Sequence, residues 1–188
     1  MIAQCGRRFE GIQADLSCSD VAASIVQKAV QTYGHIDILV NNAGIIRRED
    51  AIRFSEQDWD DILNTNLKTL FFLSQEAAKH FIAQKNGRII NIASMLSFQG
   101  GIRVPSYTAA KSGVKGLTMA LANEWAKDGV TVNAIAPGYM ETNNTAALRA
   151  DTNRNAAILE RIPAGRWGTP ADLKGAAVFL ASPEAEVA

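Results

Sequence analysis

Apolar positions along the chain recur with two different spacings. Nearly continuous runs of Ile, Leu and Val occur in "EGIQADL" (10–16), "IDILVNNAG" (36–44), "RIINIAS" (88–94) and "VTVNAIAPG" (130–138). Runs of that kind, with little alternation, predict strands buried on both faces, as in a parallel sheet covered by helices. Between them, over 19–33, 55–85 and 105–127, apolar residues return at helical spacing. Strand and helix alternate, which predicts an α/β fold. Start and stop signals agree. Ser55 with Asp58 predicts a capped start for the second helix, and Asn86-Gly87 predicts its end. Thr169-Pro170 with Asp172 predicts the start of a last helix through "LKGAAVFLAS". The stretch 139–168 is more polar and interrupted, and reads as an excursion from the sheet within a single domain spanning 1–188.

Composition narrows the function classes. The 188 residues are 47% hydrophobic and 20% charged, enough for one domain with a buried core. Nineteen basic residues balance nineteen acidic ones. With no excess positive charge to hold nucleic acid or an anionic membrane, the expected partner is a small molecule. Cys5, Cys18, His35 and His80 stand apart in sequence, so neither a disulfide framework nor a metal site is expected. There is no apolar run of membrane-spanning length and no secretory pattern, and the expected compartment is the cytoplasm.

The chemistry centres on "VPSYTAAKSG" (104–113). Tyr107 and Lys111 are four residues apart, so a helix presents them on one face. A free tyrosine titrates near ~10, and acting as a base near neutrality means lowering that by roughly three pH units, ~4 kcal/mol. One positive charge ~5 Å away at an effective dielectric of ~20 supplies ~3 kcal/mol. Taken alone, a Tyr-x-x-x-Lys pair reads better as an amphipathic surface feature. Ser94, thirteen residues before Tyr107, changes its meaning, because it falls at the end of a predicted strand. "NNAG" (41–44) and "APG" (136–138) end two others. Ligands of open α/β sheets gather at these carboxyl ends, and small residues there let backbone approach a flat ligand.

Together these residues resemble the short-chain dehydrogenase/reductase family. The match runs through Asn41-Asn42-Ala43-Gly44, Asn66, Ser94, Tyr107-x-x-x-Lys111 and Pro137-Gly138 with Thr142, and covers nearly the whole chain. The resemblance implies a Rossmann-like, doubly wound parallel sheet and hydride transfer between NAD and a hydroxyl or keto group. "NNAGIIRRED", "IASMLSFQGGIRVPSY", "PGYMETNNT" and "RIPAGRWG" are most similar to family members acting on sugar acids such as 2-deoxy-D-gluconate or 2-dehydro-3-deoxy-D-gluconate, with gluconate as the alternative. It implies Tyr107 as the proton-exchanging acid/base and Lys111 as the group that lowers its pKa and holds the nicotinamide ribose. Ser94 is then a hydrogen-bond donor to the substrate oxygen, and Asn66 the support of a water linking Lys111 to solvent. A cationic nicotinamide ring nearby would assist the phenol further. Asp15 with Leu16, and Asn41, Ala43 and Gly44, are implied along the adenine side; Pro137, Gly138, Met140 and Thr142 at the carboxamide. The local alternatives are a helix break at Asn66, a helix cap at Asp15 and a turn at Thr142. A sugar acid's carboxylate calls for an arginine fork, and Arg48 or Arg103 is expected to supply it, with Arg47 also close in sequence. The polar 139–168 stretch would then serve as a substrate lid.

The chain departs from the family pattern in lacking a T-G-x-x-x-G-x-G turn. Relative to the family, the first two strands, the phosphate loop and the last strand are expected to be missing. The family's sheet order places those first two strands between "GIQADL" and "IDILV", which implies a gap or a non-native pairing. Three readings follow: an incomplete form of an NAD-dependent sugar-acid dehydrogenase, a short protein keeping the tyrosine site without effective turnover, or a non-catalytic oligomer partner. Family members commonly form homo-oligomers, tetramers included, through the helices at 55–85 and 105–127.

Overall fold

The computed structural model describes residues 5–186. Its centre is a three-stranded parallel sheet in the order β1 (Ile38–Asn41), β2 (Gly87–Ile92), β3 (Val130–Ile135). Register runs from Ile38 opposite Arg88 to Asn41 opposite Asn91, and from Gly87 opposite Val130 to Ile92 opposite Ile135. Helices α1 (Val21–Tyr33), α2 (Glu56–Leu63), α3 (Thr69–Gln84) and α4 (Pro105–Trp125) follow the predicted periods, and α7 (Lys174–Ala181) follows the short α5 (Ala146–Ala150) and α6 (Thr152–Leu159).

One face of the sheet is covered by α1, α3 and α4. Val26, Leu73, Ala77, Phe81, Leu121 and Trp125 pack there with Ile89, Val130 and Val132. The opposite face receives α7, whose end is tied down where Arg88 Nε donates to the Ser182 carbonyl at 3.1 Å. The expected α/β class, with a parallel sheet between helical layers, is therefore what the chain forms.

Three expectations need correction. "EGIQADL" is not a strand: residues 10–15 are exposed and unpaired, and only Leu16 reaches the core. A strand is stable only with a neighbour to take its backbone groups, and among the described residues none lies beside this segment. The helix predicted over 55–85 is interrupted by a single π-turn at Asn64–Lys68. Ser55 caps its start as expected, accepting the Asp58 N–H at 3.1 Å. Its end is set by Lys85 in the left-handed region (φ 55°) rather than by Asn86-Gly87. Gly87 instead opens β2, where any Cβ would come within 2.1 Å of Phe81.

Candidate active site

The carboxyl ends of β2 and β3 continue side by side beyond the regular strands. Ala93 N–H donates to the Ile135 carbonyl at 2.8 Å and Met95 N–H to the Pro137 carbonyl at 3.0 Å. This prolonged ladder carries Ser94 to the mouth of the sheet. Its Oγ accepts the Leu96 N–H at 3.1 Å, which leaves the hydroxyl hydrogen to point elsewhere. Pro105, pre-set for a first helical turn, opens α4, and the helix brings Tyr107 and Lys111 over that mouth on one face. The Ser94 hydroxyl is close enough to the Tyr107 phenol to lower its pKa. Ser97 adds a brace that sequence reasoning missed: its Oγ donates to the Lys111 carbonyl at 2.6 Å, pinning α4 to the turn after Ser94.

Lys111 is only 4% exposed, and its ammonium donates to the Ile92 carbonyl. It lies 5.7 Å from the centre of the Tyr107 ring. Burial lowers its pKa to about 8. The phenol does not show the net lowering expected from Lys111. Burial pushes Tyr107 up, and the Ser94 hydroxyl and the Arg48 charge pull it part of the way back. The physical reason is that the ammonium is itself desolvated and directs a donor at a backbone carbonyl, while the phenol sits in a half-buried cleft.

Asn66 is fully buried in the π-turn. Its amide nitrogen donates to the Ile45 carbonyl at 2.8 Å and its oxygen accepts the Ile45 N–H at 2.9 Å. Those two bonds fix the strand-end turn holding Gly44. A Cβ at Gly44 would stand 3.3 Å from Asn66 Oδ1 and 3.9 Å from Lys111 Nζ, so Gly44, Asn66 and Lys111 converge on one spot. A π-turn inserts one extra residue into a helix, and here it turns Asn66 inward, reconciling a helix break with a place in the site.

The residues fit the nicotinamide half of a dinucleotide. An ammonium has three donors, and the one hydrogen bond to Ile92 leaves Lys111 two for ribose hydroxyls. Gly44 and Gly138 keep the strand ends low; Gly138 has only Met95 near, at 3.9 Å from a hypothetical Cβ. At the adenine side the side chains are occupied otherwise. Asn41 donates to Ser74 Oγ at 3.0 Å and to Asn91 Oδ1 at 2.9 Å inside the core. Asp15 accepts the Ser17 N–H at 2.9 Å, a bond that holds its carboxyl below its ordinary pKa. Ala43 is exposed. Met140 pairs with Gly168, and Thr142 heads a short capped turn with Thr145.

The candidate arginines separate in the structure. Arg47 pairs with Asp58 and Asp61 at 3.4 and 3.6 Å. Arg103 has positive φ (63°), pairs with Asp50 at 3.1 Å and Glu49 at 3.5 Å, and accepts the Glu49 N–H on its carbonyl. It straps down the loop that carries Arg48, and its charge is answered there. Arg48 is the one whose charge acts on Tyr107. Two surface cavities, of about 310 and 320 Å³, are lined by Ser19, Asp20 and Phe72 and by Phe54, Ser55 and Trp59 among others, away from the Ser94, Tyr107 and Lys111 cluster.

Comparison with known proteins places this geometry. The model of the family described as short chain dehydrogenase matches residues 1–153. The chain is 67% identical over 182 residues to the 2-dehydro-3-deoxy-D-gluconate 5-dehydrogenase of Escherichia coli (strain K12), which covers 96% of this chain and 72% of that protein. A solved structure from Agrobacterium tumefaciens, assigned as a 2-deoxy-D-gluconate 3-dehydrogenase and holding NADP, superposes with a TM-score of 0.91 at 59% identity, over 98% of this chain and 74% of the other. Another from Beutenbergia cavernae, assigned as an NAD(P)-dependent gluconate 5-dehydrogenase with NADP at low occupancy, gives 0.93 at 50% identity with 98% and 74% covered.

Proposed function

Because the chain belongs to the short-chain dehydrogenase family and is on that footing an NAD(P)-dependent oxidoreductase, we propose that it interconverts a hydroxyl and a keto group of a sugar acid. The substrates in view are 2-dehydro-3-deoxy-D-gluconate and 2-deoxy-D-gluconate, the compounds named for its relatives. Gluconate is the neighbouring alternative. The observation that carries the reading is the convergence of Ser94, Tyr107 and Lys111 at the sheet mouth, the Ser94 hydroxyl close enough to lower the pKa of the phenol and the Lys111 ammonium 5.7 Å from the phenol ring.

The bound dinucleotide supplies or takes the hydride. The protein's part is proton management. Ser94, with its oxygen already accepting from Leu96, donates its hydroxyl hydrogen to the substrate oxygen. Tyr107, raised above its ordinary pKa by burial, is held as a neutral phenol near pH 7 and donates its proton to the same oxygen when a keto group is reduced. In the oxidative direction the step starts from the phenolate, which takes the proton of the substrate hydroxyl and returns to the neutral phenol. Lys111 holds the nicotinamide ribose with its two remaining donors, Asn66 supports proton exchange with solvent beside it, and Arg48 holds the substrate carboxylate. NAD is the dinucleotide proposed from the resemblance to sugar-acid dehydrogenases, whereas two solved relatives hold NADP, so both belong in the test. Self-association through the α2 to α3 and α4 faces, where Trp59 and Met119 are exposed, is part of the same proposal.

The test is a fluorescence titration of the purified chain with NADH and NADPH, followed by turnover of the three sugar acids. The expected result is saturable binding of one dinucleotide and a Tyr107→Phe variant that binds it equally while losing on the order of 10²–10⁴-fold in kcat. A Tyr107→Phe variant as active as the parent, or a parent that saturates with neither dinucleotide, overturns the reading.

A further inference from the structure

The turn that follows β2 meets α4 at two places. Phe98, just after the turn Met95–Ser97, lies under Lys115, whose ammonium is 4.5 Å from the ring centre, but Phe98 is 61% exposed. A cation over a ring contributes little when water reaches both. Ser97 makes the buried contact. It is 7% exposed, and its Oγ donates to the Lys111 carbonyl at 2.6 Å while accepting the Ser94 N–H at 3.3 Å. A hydroxyl has one hydrogen to give, and Ser97 directs it to a helix residue fourteen positions along the chain rather than into its own turn.

Both ends of Lys111 are thereby held by the end of β2. Its ammonium donates to the Ile92 carbonyl, and its own carbonyl accepts from Ser97. Ile92 and Ser97 bracket Ser94, so these hydrogen bonds close a ring through Ile92, the full length of Lys111, Ser97 and Ser94. Inside that ring Ser94 has little freedom. Its N–H goes to Ser97 Oγ, its carbonyl accepts the Ser97 N–H at 2.9 Å, and its Oγ accepts the Leu96 N–H at 3.1 Å. α4 needs such a hold at this end, because the side chain of Val104 provides no cap. The Ser97 hydroxyl joins the strand end that carries Ser94 to the helix that carries Tyr107.

We propose that Ser97 is a positioning residue for the reaction, its hydroxyl setting the place of the Ser94 hydroxyl relative to the Tyr107 phenol and the Lys111 ammonium. The inference rests on the sugar-acid reading above and adds to it a residue that acts through Ser94 and Lys111 rather than on the sugar or the dinucleotide. Two hydroxyl groups must reach one substrate oxygen together, and they come from different elements, the extension of β2 and α4. A misplacement of about 1 Å between reacting groups costs on the order of a hundredfold in rate. Without the Ser97 hydroxyl the two elements still pack through Leu70, Ala93 and Val114, but the tie at Ser94 is gone. The loss therefore falls on kcat and spares KM.

The experiment compares the parent chain with Ser97→Ala, Ser97→Cys and Ser97→Thr in three measurements: turnover of the three sugar acids with NAD(H) and NADP(H), dinucleotide titration, and hydrogen exchange of the Ser94 amide by NMR. The expected result is a kcat lowered about ten- to hundredfold in Ser97→Ala, with the sugar-acid KM and the dinucleotide Kd within about twofold of the parent. Exchange at Ser94 speeds up in the same variant. Ser97→Cys, close in size but a weak hydrogen-bonding group, behaves like Ser97→Ala, and Ser97→Thr, which keeps the hydroxyl, recovers most of both losses. Full kcat in Ser97→Ala or Ser97→Cys overturns the inference and leaves the sugar-acid reading standing. Unchanged Ser94 exchange, which needs no turnover to observe, does the same. A loss shared equally by kcat, dinucleotide binding and folded fraction also overturns it, because that marks a general folding defect. Should Ser97→Ala not fold, Ser97→Cys decides in its place. A parent that turns over none of the sugar acids with either dinucleotide removes the sugar-acid reading and this role together.

Discussion

The two sides of the sheet behave differently. β2 is flanked on both sides, its residues Ile89, Ile90 and Asn91 are at most 1% exposed, and its polar groups find partners: Asn91 accepts from Asn41 and donates to Thr118 Oγ1 at 3.0 Å. β1, at the edge, leaves Ile38 42% and Val40 52% exposed, and the extended segment before α1 leaves Phe9 and Ile12 in solvent as well. Most of the convergent chemistry gathers around β2, with Gly44 reaching it from the end of β1. Ser94 extends β2, Lys111 bonds the last residue of β2, and Pro137 extends β3. On the edge side, Asp15 and Asn41 direct their side chains at their own chain. Precise placement of a functional group requires a well-supported element, and β2 is the strand of this sheet with a neighbour on each side.

That contrast can be tested by perturbing each side. The largest effect on stability is expected from Gly129→Ala, in the turn feeding β3. Its φ of +77° is unfavourable for a side chain, and the new Cβ would lie 2.3 Å from the Lys85 carbonyl oxygen. A loss of roughly 2–4 kcal/mol in urea unfolding is expected; a loss no larger than at the edge would show that the paired half is not the stable half.

Lys111→Met is expected to act with the opposite sign. The folded pKa of about 8 lies below the ordinary 10.5. Below pH 8 the lysine is protonated in both states, and its buried charge weighs fully against folding. Between pH 8 and 10.5 the unfolded chain keeps a proton that the folded chain releases, so stability rises with pH, by about 3 kcal/mol in all. Without that charge, and with about 1 kcal/mol lost from the bond to Ile92, the variant should be about 2 kcal/mol more stable at pH 7 and inactive. Unfolding curves at pH 7 and pH 9.5 check this: the parent should gain stability between them from this group and Lys111→Met should not. A parallel pH response in both chains would mean that the ammonium is better solvated than its position indicates.

The smallest effect belongs to the edge. Ile38→Thr on the exposed side of β1 should change unfolding free energy by less than about 0.5 kcal/mol, while reducing self-association at high concentration as judged by light scattering. A large destabilisation would show that this face of β1 is covered in solution.

Much of the site was legible in the primary structure because its signals are local. The four-residue spacing of Tyr107 and Lys111 needs only a helix, and Pro105 starts one. Ser94 needs only the end of an apolar run. The α1, α2 and α4 periods and the Ser55 cap are of the same kind. The strand at 10–16 was misread because an apolar run shows capacity to pair and is silent on whether a neighbour exists. The spacing of Tyr107 and Lys111 gives a distance between two groups and is silent on the desolvation of both, which raises the phenol and lowers the ammonium. Arg103 and Arg48 look equivalent in sequence, each near a functional residue. What separates them is that Glu49 and Asp50 fold back onto Arg103 and not onto Arg48.

By itself, then, the sequence determined which reactive groups the chain owns and which helix face or strand end carries each, since these follow from periodicity and backbone preference within a few residues. Tertiary structure alone decided which charges are neutralised, which polar groups are spent inside the core, and how the neck at Tyr139 and Gly168 holds α6 through Trp167 and Asn155. Those outcomes depend on how segments far apart in the chain meet, and on how much water is removed when they do.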